Sequence, residues 1–331
     1  MSVITYQGNE GKKQLIETYG LSSVSFKVQF FAINSSFILA NCSYVQAQQL
    51  ADDLKWDMKV YKAEEISKEK STISLTFGEV AENHIGNEQV GEISPRGYSV
   101  DEIKQLHTSL KDKGIPSVIH MLPVPDNIDP DNFEEDLEAC ILVIPNGINN
   151  LLADPNATEK LFVEQARLKK DKKALMRGAV KNKNARWNLC FDDNGHEAEY
   201  EKGIGTVIEF DKVPLLKKLR EAIDKHLNPP VKNLKAEGNY YYDIKQTYIN
   251  YHGDTERRIV IAARLGHSFP IFYQWYYDRK PVGERFKITL NGGDIYVMSQ
   301  KAVGTDWKRW KIPTLRHAAG FEGTKGFFIK K

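Results

Sequence analysis

Residues 251–266 read YHGDTERRIVIAARLG, a polar turn followed by an apolar run that stops at glycine. If the chain is extended at its start, alternation puts the His252 imidazole and the Asp254 carboxylate on one side, and Gly253 leaves room between them. The run from Ile259 to Ala263 reads as a buried strand behind this pair. Two histidines and one carboxylate on one face form a ligand set for iron(II) that leaves other coordination positions open. Only two histidines follow His252: His267, in a turn just after Gly266, and His317, in TLRHAAG. His317 lies on a later strand candidate, where it can close the opposite side of such a site, and it is the expected third ligand.

The surrounding sequence is β-rich. After Pro229 and Pro230 the runs NYYYDIKQTYINY, PIFYQWYYDR, ERFKITLNGGDIYVMS, IPTLRHAAG and GFFIKK are divided by glycine, proline or charge. Short strands spaced in this way predict an antiparallel sandwich, barrel or jelly roll. Ahead of them, NATEKLFVEQARLKKDKKALM and VPLLKKLREAIDKHL have helical spacing, and the second places Leu215, Leu216, Leu219, Ile223 and Leu227 on one face. Residues 1–150 read as mixed α/β. VSFKVQFFAINSSFILANC predicts two strands around an Asn-Ser-Ser turn, while YVQAQQLADDLKW and the serine-capped SVDEIKQLHTSLKDKGIP predict helices. SVIHMLPV and ACILVIP read as short buried strands on either side of an acidic linker. The predicted class is α+β, with a mixed α/β domain at 1–150 and a β-rich domain, helices packed outside it, at 151–331.

Charge separates these halves. Residues 1–150 carry 12 Lys and Arg against 22 Asp and Glu, and the remainder carries 34 against 22, so the C-terminal half is the expected partner of a polyanion. Its densest basic segment, Arg167 to Arg186, could bind phosphates or form a solvated helix face followed by a loop. The acidic half could dock a protein partner. No apolar run approaches the ~20 residues of a membrane-spanning helix, and the N-terminal residues are too polar for a signal peptide. Cys42, Cys140 and Cys190 lie far apart with no CxxC pair, which fits a reducing compartment. An intracellular protein, cytoplasmic or nuclear, is expected rather than a secreted one.

Several segments stand in a recognisable order: ARWNLCFDD at 185–193, VPLLKKLREAID at 213–224, GNYYYD at 238–243, HGDTE at 252–256, IVIAARLG at 259–266 and LNGGDIYVMS at 290–299. Over roughly residues 178–331 the chain thereby resembles the AlkB-like family of Fe(II)- and 2-oxoglutarate-dependent dioxygenases. The resemblance implies a double-stranded β-helix (jelly-roll) core, with His252, Asp254 and His317 as iron ligands. It implies that Asn239 and Tyr241 hydrogen-bond the cosubstrate, and that Arg186 and Trp187 belong to the nucleotide-recognition segment. The implied chemistry couples conversion of 2-oxoglutarate and O2 into succinate and carbon dioxide to oxidation of a C–H bond. A nucleic-acid base, DNA or RNA, would be flipped out and held between flat side chains, with Trp187 and Tyr240 as candidates.

Two departures bear on the substrate and cosubstrate. Thr255 stands where many base-repair members have a second acid next to the ligand aspartate, and Glu256 follows as a residue that could orient the site. The Arg-x-Asn-x-x-x-Arg strand that usually pairs with the cosubstrate carboxylate is absent after His317, and KAVGTDWKRWK lengthens the approach to that histidine. If His317 is the ligand, Lys330 or, as a weaker choice, Lys325 is the expected carboxylate partner. If PTLRHAAG is the terminal arginine strand, Arg316 takes that role. The leading reading is demethylation or hydroxylation of a nucleic-acid base. The same iron chemistry on a protein side chain or small molecule, and a non-catalytic protein that keeps the barrel, are the alternatives.

Overall fold

The computed structural model describes residues 67–327 and, nearer the N-terminus, the backbone of four short strands. The chain divides into two compact units, residues 1–67 with 163–168, and residues 68–162 with 169–331. In the first, β1 (Ser2–Gln7), β2 (Phe30–Ile33), β3 (Ser36–Leu39) and β4 (Val60–Lys62) pair in the order β2-β3-β1-β4. The predicted pair of strands around Asn34 and Ser35 is present as β2 and β3, with Ile33 opposite Ser36. The predicted helix at 44–56 lies outside the described residues.

The second unit carries the remaining strands. They are β5 (Thr72–Gly78), the hairpin β6 (Val80–Glu82) and β7 (Gln89–Gly91), β8 (Val118–Met121), β9 (Cys140–Ile144), and the hairpin β10 (Lys173–Met176) and β11 (Ala179–Asn182). Then follow β12 (Trp187–Asp192), β13 (Val207–Glu209), β14 (Lys235–Tyr241), β15 (Ile249–His252), β16 (Ile261–Gly266), β17 (Phe269–Tyr277), β18 (Lys280–Leu290), β19 (Ile295–Met298) and β20 (Thr314–Ala319). An eight-stranded sheet runs β13-β12-β14-β5-β16-β19-β9-β8, and a four-stranded sheet runs β15-β20-β17-β18. One buried apolar cluster joins the two, with Ile141, Ala262, Tyr296 and Met298 from the first and Ile271, Tyr273, Trp275 and Leu315 from the second. The fold is mixed α+β and mostly β. The described helices are α1 (Val100–Asp112), α2 (Gly147–Leu152), α3 (Ala157–Ala166), α4 (Pro214–His226) and α5 (Gln300–Val303). No helix among the described residues is long and apolar enough to cross a membrane.

Local sequence explains most of these elements. Ser99, the predicted cap, closes α1 by accepting the Glu102 N–H, and the Glu102 carboxylate accepts the Ser99 N–H in return, which completes a capping box. In β5, TISLTFG, the alternation is strict: Ile73, Leu75 and Phe77 are wholly buried on one face, and Ser74 and Thr76 turn to the other. β8 is not the buried strand expected. It is the edge of its sheet, with Val118 and Met121 exposed.

Two expectations are revised. The boundary at residue 150 falls inside the second unit, because β5, β8 and β9 hydrogen-bond into the sheet formed by β12, β14, β16 and β19. The strand β5 sits between β14 and β16, pairing Asn239 with Ser74 and Ser74 with Arg264. The helix predicted over NATEKLFVEQARLKKDKKALM stops at Ala166, and the basic segment becomes the β10–β11 hairpin. Buried Asp171 accepts hydrogen bonds from Asn83, Tyr200 and Thr206, and it forms a bridge with Asn188, which draws the chain out of helical register. Arg177 and Gly178, both at positive φ, then close the hairpin in two residues.

Candidate functional site

The registration of β15 on β20 sets His252 directly opposite His317, and their rings lie 4.4 Å apart. Asp254 reaches between them: its Oδ1 is 3.4 Å from His252 Nε2 and 3.6 Å from His317 Nε2. The three residues offer ligand atoms within 4.8 Å of one another. His252 Nδ1 lies 2.8 Å from the Asn250 carbonyl, which can only accept, so Nδ1 carries a proton and Nε2 is the atom that faces the group. Burial, and secondarily the neighbouring His252, hold the His317 imidazole well below its ordinary range, so it is neutral and able to ligate.

The turn between the ligands is held by the segment that the family resemblance treats as inserted. Asp254 donates its N–H to the Val303 carbonyl at the end of α5, 3.1 Å away. A Cβ on Gly253 would sit 2.0 Å from the Gly304 carbonyl oxygen and 2.8 Å from the Trp307 ring. Gly253 is therefore fixed by close approach of two backbones. Gly253→Ala is expected to cost about 3 kcal/mol or more through overpacking and to weaken metal binding at least about tenfold, checked by thermal unfolding and metal titration. An alanine variant with unchanged Tm and metal affinity would contradict this close packing.

Arg257 holds the other side of Asp254. Its Nε lies 3.7 Å from Asp254 Oδ2, and its Nη2 donates to Glu237 and, at 3.0 Å, to Glu256. Burial alone would raise the Glu237 carboxyl, but the Arg257 guanidinium outweighs it and holds the group below its ordinary range. Glu256 is instead pushed up by burial and by Asp254. The Arg257 contact leaves Asp254 Oδ1 free to face the histidines.

These groups line one wall of a cavity of about 140 Å³ between the two sheets. The eight-stranded sheet contributes Ser74, Thr76, Glu237, Asn239, Tyr241, Arg264, Tyr296 and Met298, and the four-stranded sheet contributes Ile249, His252, Ile271, His317 and Ala319. Arg186, Thr255 and Glu256 also face it. The Asn239 side-chain oxygen is occupied by Arg186 and Asn188, and its amide donates to Glu237 at 3.0 Å. Trp187 and Tyr240 do not line the cavity: Trp187 stacks on Tyr242 at 4.3 Å, and Tyr240 is fully buried beneath Lys170. Arg316 alternates with His317 and stands on the opposite face of β20, over the Tyr276 ring at 3.9 Å. Lys325 is exposed and outside the cavity wall, and Lys330 lies outside the described residues.

Several cavity residues were not anticipated, and one of them carries an unpaired charge. Arg264, on β16, is 2% exposed, and its Nε and Nη1 have no hydrogen-bond partner among the described residues. Its charge lies over the faces of Tyr296 and Phe269, 5.6 and 5.9 Å from their centres, but no carboxylate among the described residues pairs with it. An arginine in the otherwise apolar run IVIAARLG was the available sign, because a buried charge without a partner is costly unless a ligand supplies one.

Glu82, the last residue of β6, and His84 and Ile85 in the turn after it also face the cavity. Burial pushes the Glu82 carboxyl up to about 7, and burial together with nearby Lys183 and Arg186 lowers His84 to about 4. Between pH 4.5 and 7 the native Glu82 keeps a proton that the unfolded chain releases, so its contribution to stability falls as pH rises through that window. Glu82→Gln, neutral throughout, should match the wild type near the lower limit and gain on it up to about pH 7. Its advantage there is about 2 kcal/mol after allowance for solvent near the mouth. Denaturant unfolding across this range checks it, and a constant difference between the two proteins would contradict the shift.

The chain is 43% identical over 251 residues to "Uncharacterized protein R156" of Acanthamoeba polyphaga mimivirus, a match covering 76% of this chain and 96% of the viral protein. It belongs to the same family as that protein. No protein-family profile matches the chain.

Proposed function

We propose that the protein is an AlkB-like Fe(II)- and 2-oxoglutarate-dependent dioxygenase that oxidises a C–H bond, with a nucleic-acid base as the leading substrate. The observation that carries this reading is the convergence of His252 Nε2, His317 Nε2 and Asp254 Oδ1 on one wall of a cavity. Two imidazoles and a carboxylate suit iron(II), and they leave the cavity side open for other ligands. Two facing sheets with the cavity between them support assignment of the core to the double-stranded β-helix class. The unpaired Arg264 guanidinium supports a carboxylate cosubstrate, in place of the Lys330 or Arg316 role expected from the sequence.

When bound, iron with 2-oxoglutarate and O2 supplies the oxidant for C–H cleavage. The chain's own residues orient and exclude. Arg264 would receive the carboxylate remote from the metal, while Arg257 and the Asn250 carbonyl keep the ligand atoms aimed. Val260, Ile271, Met298 and Ala319 supply an apolar wall that limits water.

The test is the anaerobic visible spectrum with Fe(II) and 2-oxoglutarate, where a weak charge-transfer band is expected, followed by succinate release with methylated and unmodified oligonucleotides. Absence of the band from metal-loaded wild-type protein would refute the catalytic reading. A second reading, the same chemistry on a protein side chain or small molecule, is favoured by the position of Trp187 and Tyr240 outside the cavity. Succinate release stimulated only by peptides or metabolites would select it.

A further inference from the structure

The eight-stranded sheet has two differently treated edges. At β13, Val207 exchanges backbone hydrogen bonds with His196, which covers that edge. At the other end β8 pairs only with β9 among the described residues. Leu122 donates its N–H to the Ala139 carbonyl, so alternation directs the N–H and C=O groups of Ile119 and Met121 to the free side. Open edges are normally blunted by charge, a bulge or proline within the strand. The sequence of β8, VIHM, has none of these, although the strand is only four residues long and lies between Pro116 and Pro123. Val118 and Met121, 48% and 46% exposed, are two of the six exposed large hydrophobic residues among those described.

At the Met121 end of this strand lies a groove of about 630 Å³ with an apolar floor that includes Met121, Val124 and Phe133. Its rim carries Asp131, Glu134, Glu135, Asp136 and Glu138. Glu135 is engaged by Arg309, and no ion pair among the described residues engages the other four. No Lys or Arg lines the groove itself, while Glu135, Asp136 and Glu138 also face a neighbouring cavity whose lining includes Arg96, Arg258, Lys301 and Arg309.

We propose that β8 and this groove dock an extended basic segment of a partner protein, which adds to the sheet as a further strand. The free groups of Ile119 and Met121 would supply the backbone pairing, the apolar floor would take alternate side chains, and the acidic rim would take the Lys and Arg between them. A strand that offers its backbone on one side and a groove of single charge sign on the other favours a cationic peptide over a nucleic acid, which the same rim repels. The proposal is independent of the metal site.

The experiment uses the full chain and a fluorescent decapeptide alternating Lys or Arg with Val. Anisotropy should show saturable binding that weakens with salt. The same peptide N-methylated at alternate backbone amides keeps its charge but cannot pair, and it should bind at least about tenfold more weakly. The triple variant Glu134→Lys, Asp136→Lys, Glu138→Lys should weaken the unmethylated peptide by a similar factor, and the peptide should slow hydrogen exchange at the Ile119 and Met121 amides. If the fold of the triple variant fails, Ile119→Pro, which removes an outward N–H, supplies the same test. No binding, equal binding of the methylated peptide, or binding unaffected by both variants would overturn the proposal.

Discussion

Asp254→Ala is expected to eliminate the Fe(II) and 2-oxoglutarate charge-transfer band and to weaken metal binding by at least about 100-fold, more than changes that only reorient a ligand. The reason is geometric. Asp254 Oδ1 is the atom both histidines face, at 3.4 and 3.6 Å, so its removal takes away the group's only negative charge and its centre. The fold should persist, because Arg257 keeps Glu237 and Glu256 as partners. Circular dichroism and thermal unfolding supply that control, and isothermal titration with Fe(II) under anaerobic conditions supplies the affinity. His252→Ala and His317→Ala should behave alike. If Asp254→Ala binds iron as tightly as the wild type while remaining folded, the three residues are not the metal centre.

The second large effect has opposite signs in its two readouts. Arg264→Met should weaken 2-oxoglutarate binding to the iron-loaded protein by about 100-fold or more, the usual consequence of removing one partner of a buried charge pair. It should also stabilise the ligand-free protein by about 1–4 kcal/mol, because an apolar side chain of similar length replaces a buried charge whose Nε and Nη1 find no partner. An ordinary structural arginine would give destabilisation, and a spectator would give no loss of affinity. Titrating 2-oxoglutarate against the charge-transfer band reads the first quantity and denaturant unfolding reads the second. Stability and affinity falling together would assign Arg264 to the scaffold instead.

The sequence showed what is local and periodic. The His-x-Asp spacing, the capping box at Ser99, the strand patterns of β9 and β16 and the pair His252 and His317 all follow from neighbouring residues or from the count of histidines downstream. What it did not show depends on pairing over long separations. Nothing in TISLTFG says that β5 lies between β14 and β16, so Ser74, Thr76, Glu82 and His84 were assigned to another domain although they face the cavity. Alternation on β14 and β20 decided the remaining roles. Asn239 and Tyr241 turn inward and Tyr240 to the other face, while His317 turns toward His252 and Asp254 and Arg316 away. Periodicity could state that these neighbours differ, but only the sheet partners determine which side is inside. The helix read over residues 156–176 ends at Ala166, and buried Asp171, with its ring of donors, leads into the hairpin.

The central position of β5 also has a kinetic meaning. Its two neighbours, Lys235–Tyr241 and Ile261–Gly266, leave the ribosome long after Thr72–Gly78 has been made. Until then an apolar strand with two open sides has no native partner, and contacts across such separations form slowly. Cutting the gene at codon 150 would make that delay permanent: each fragment would retain an unsatisfied seam, the N-terminal piece at β5 and the C-terminal piece between β14 and β16. Co-expression of the two fragments, rather than either alone, is the route by which a split protein would recover its fold.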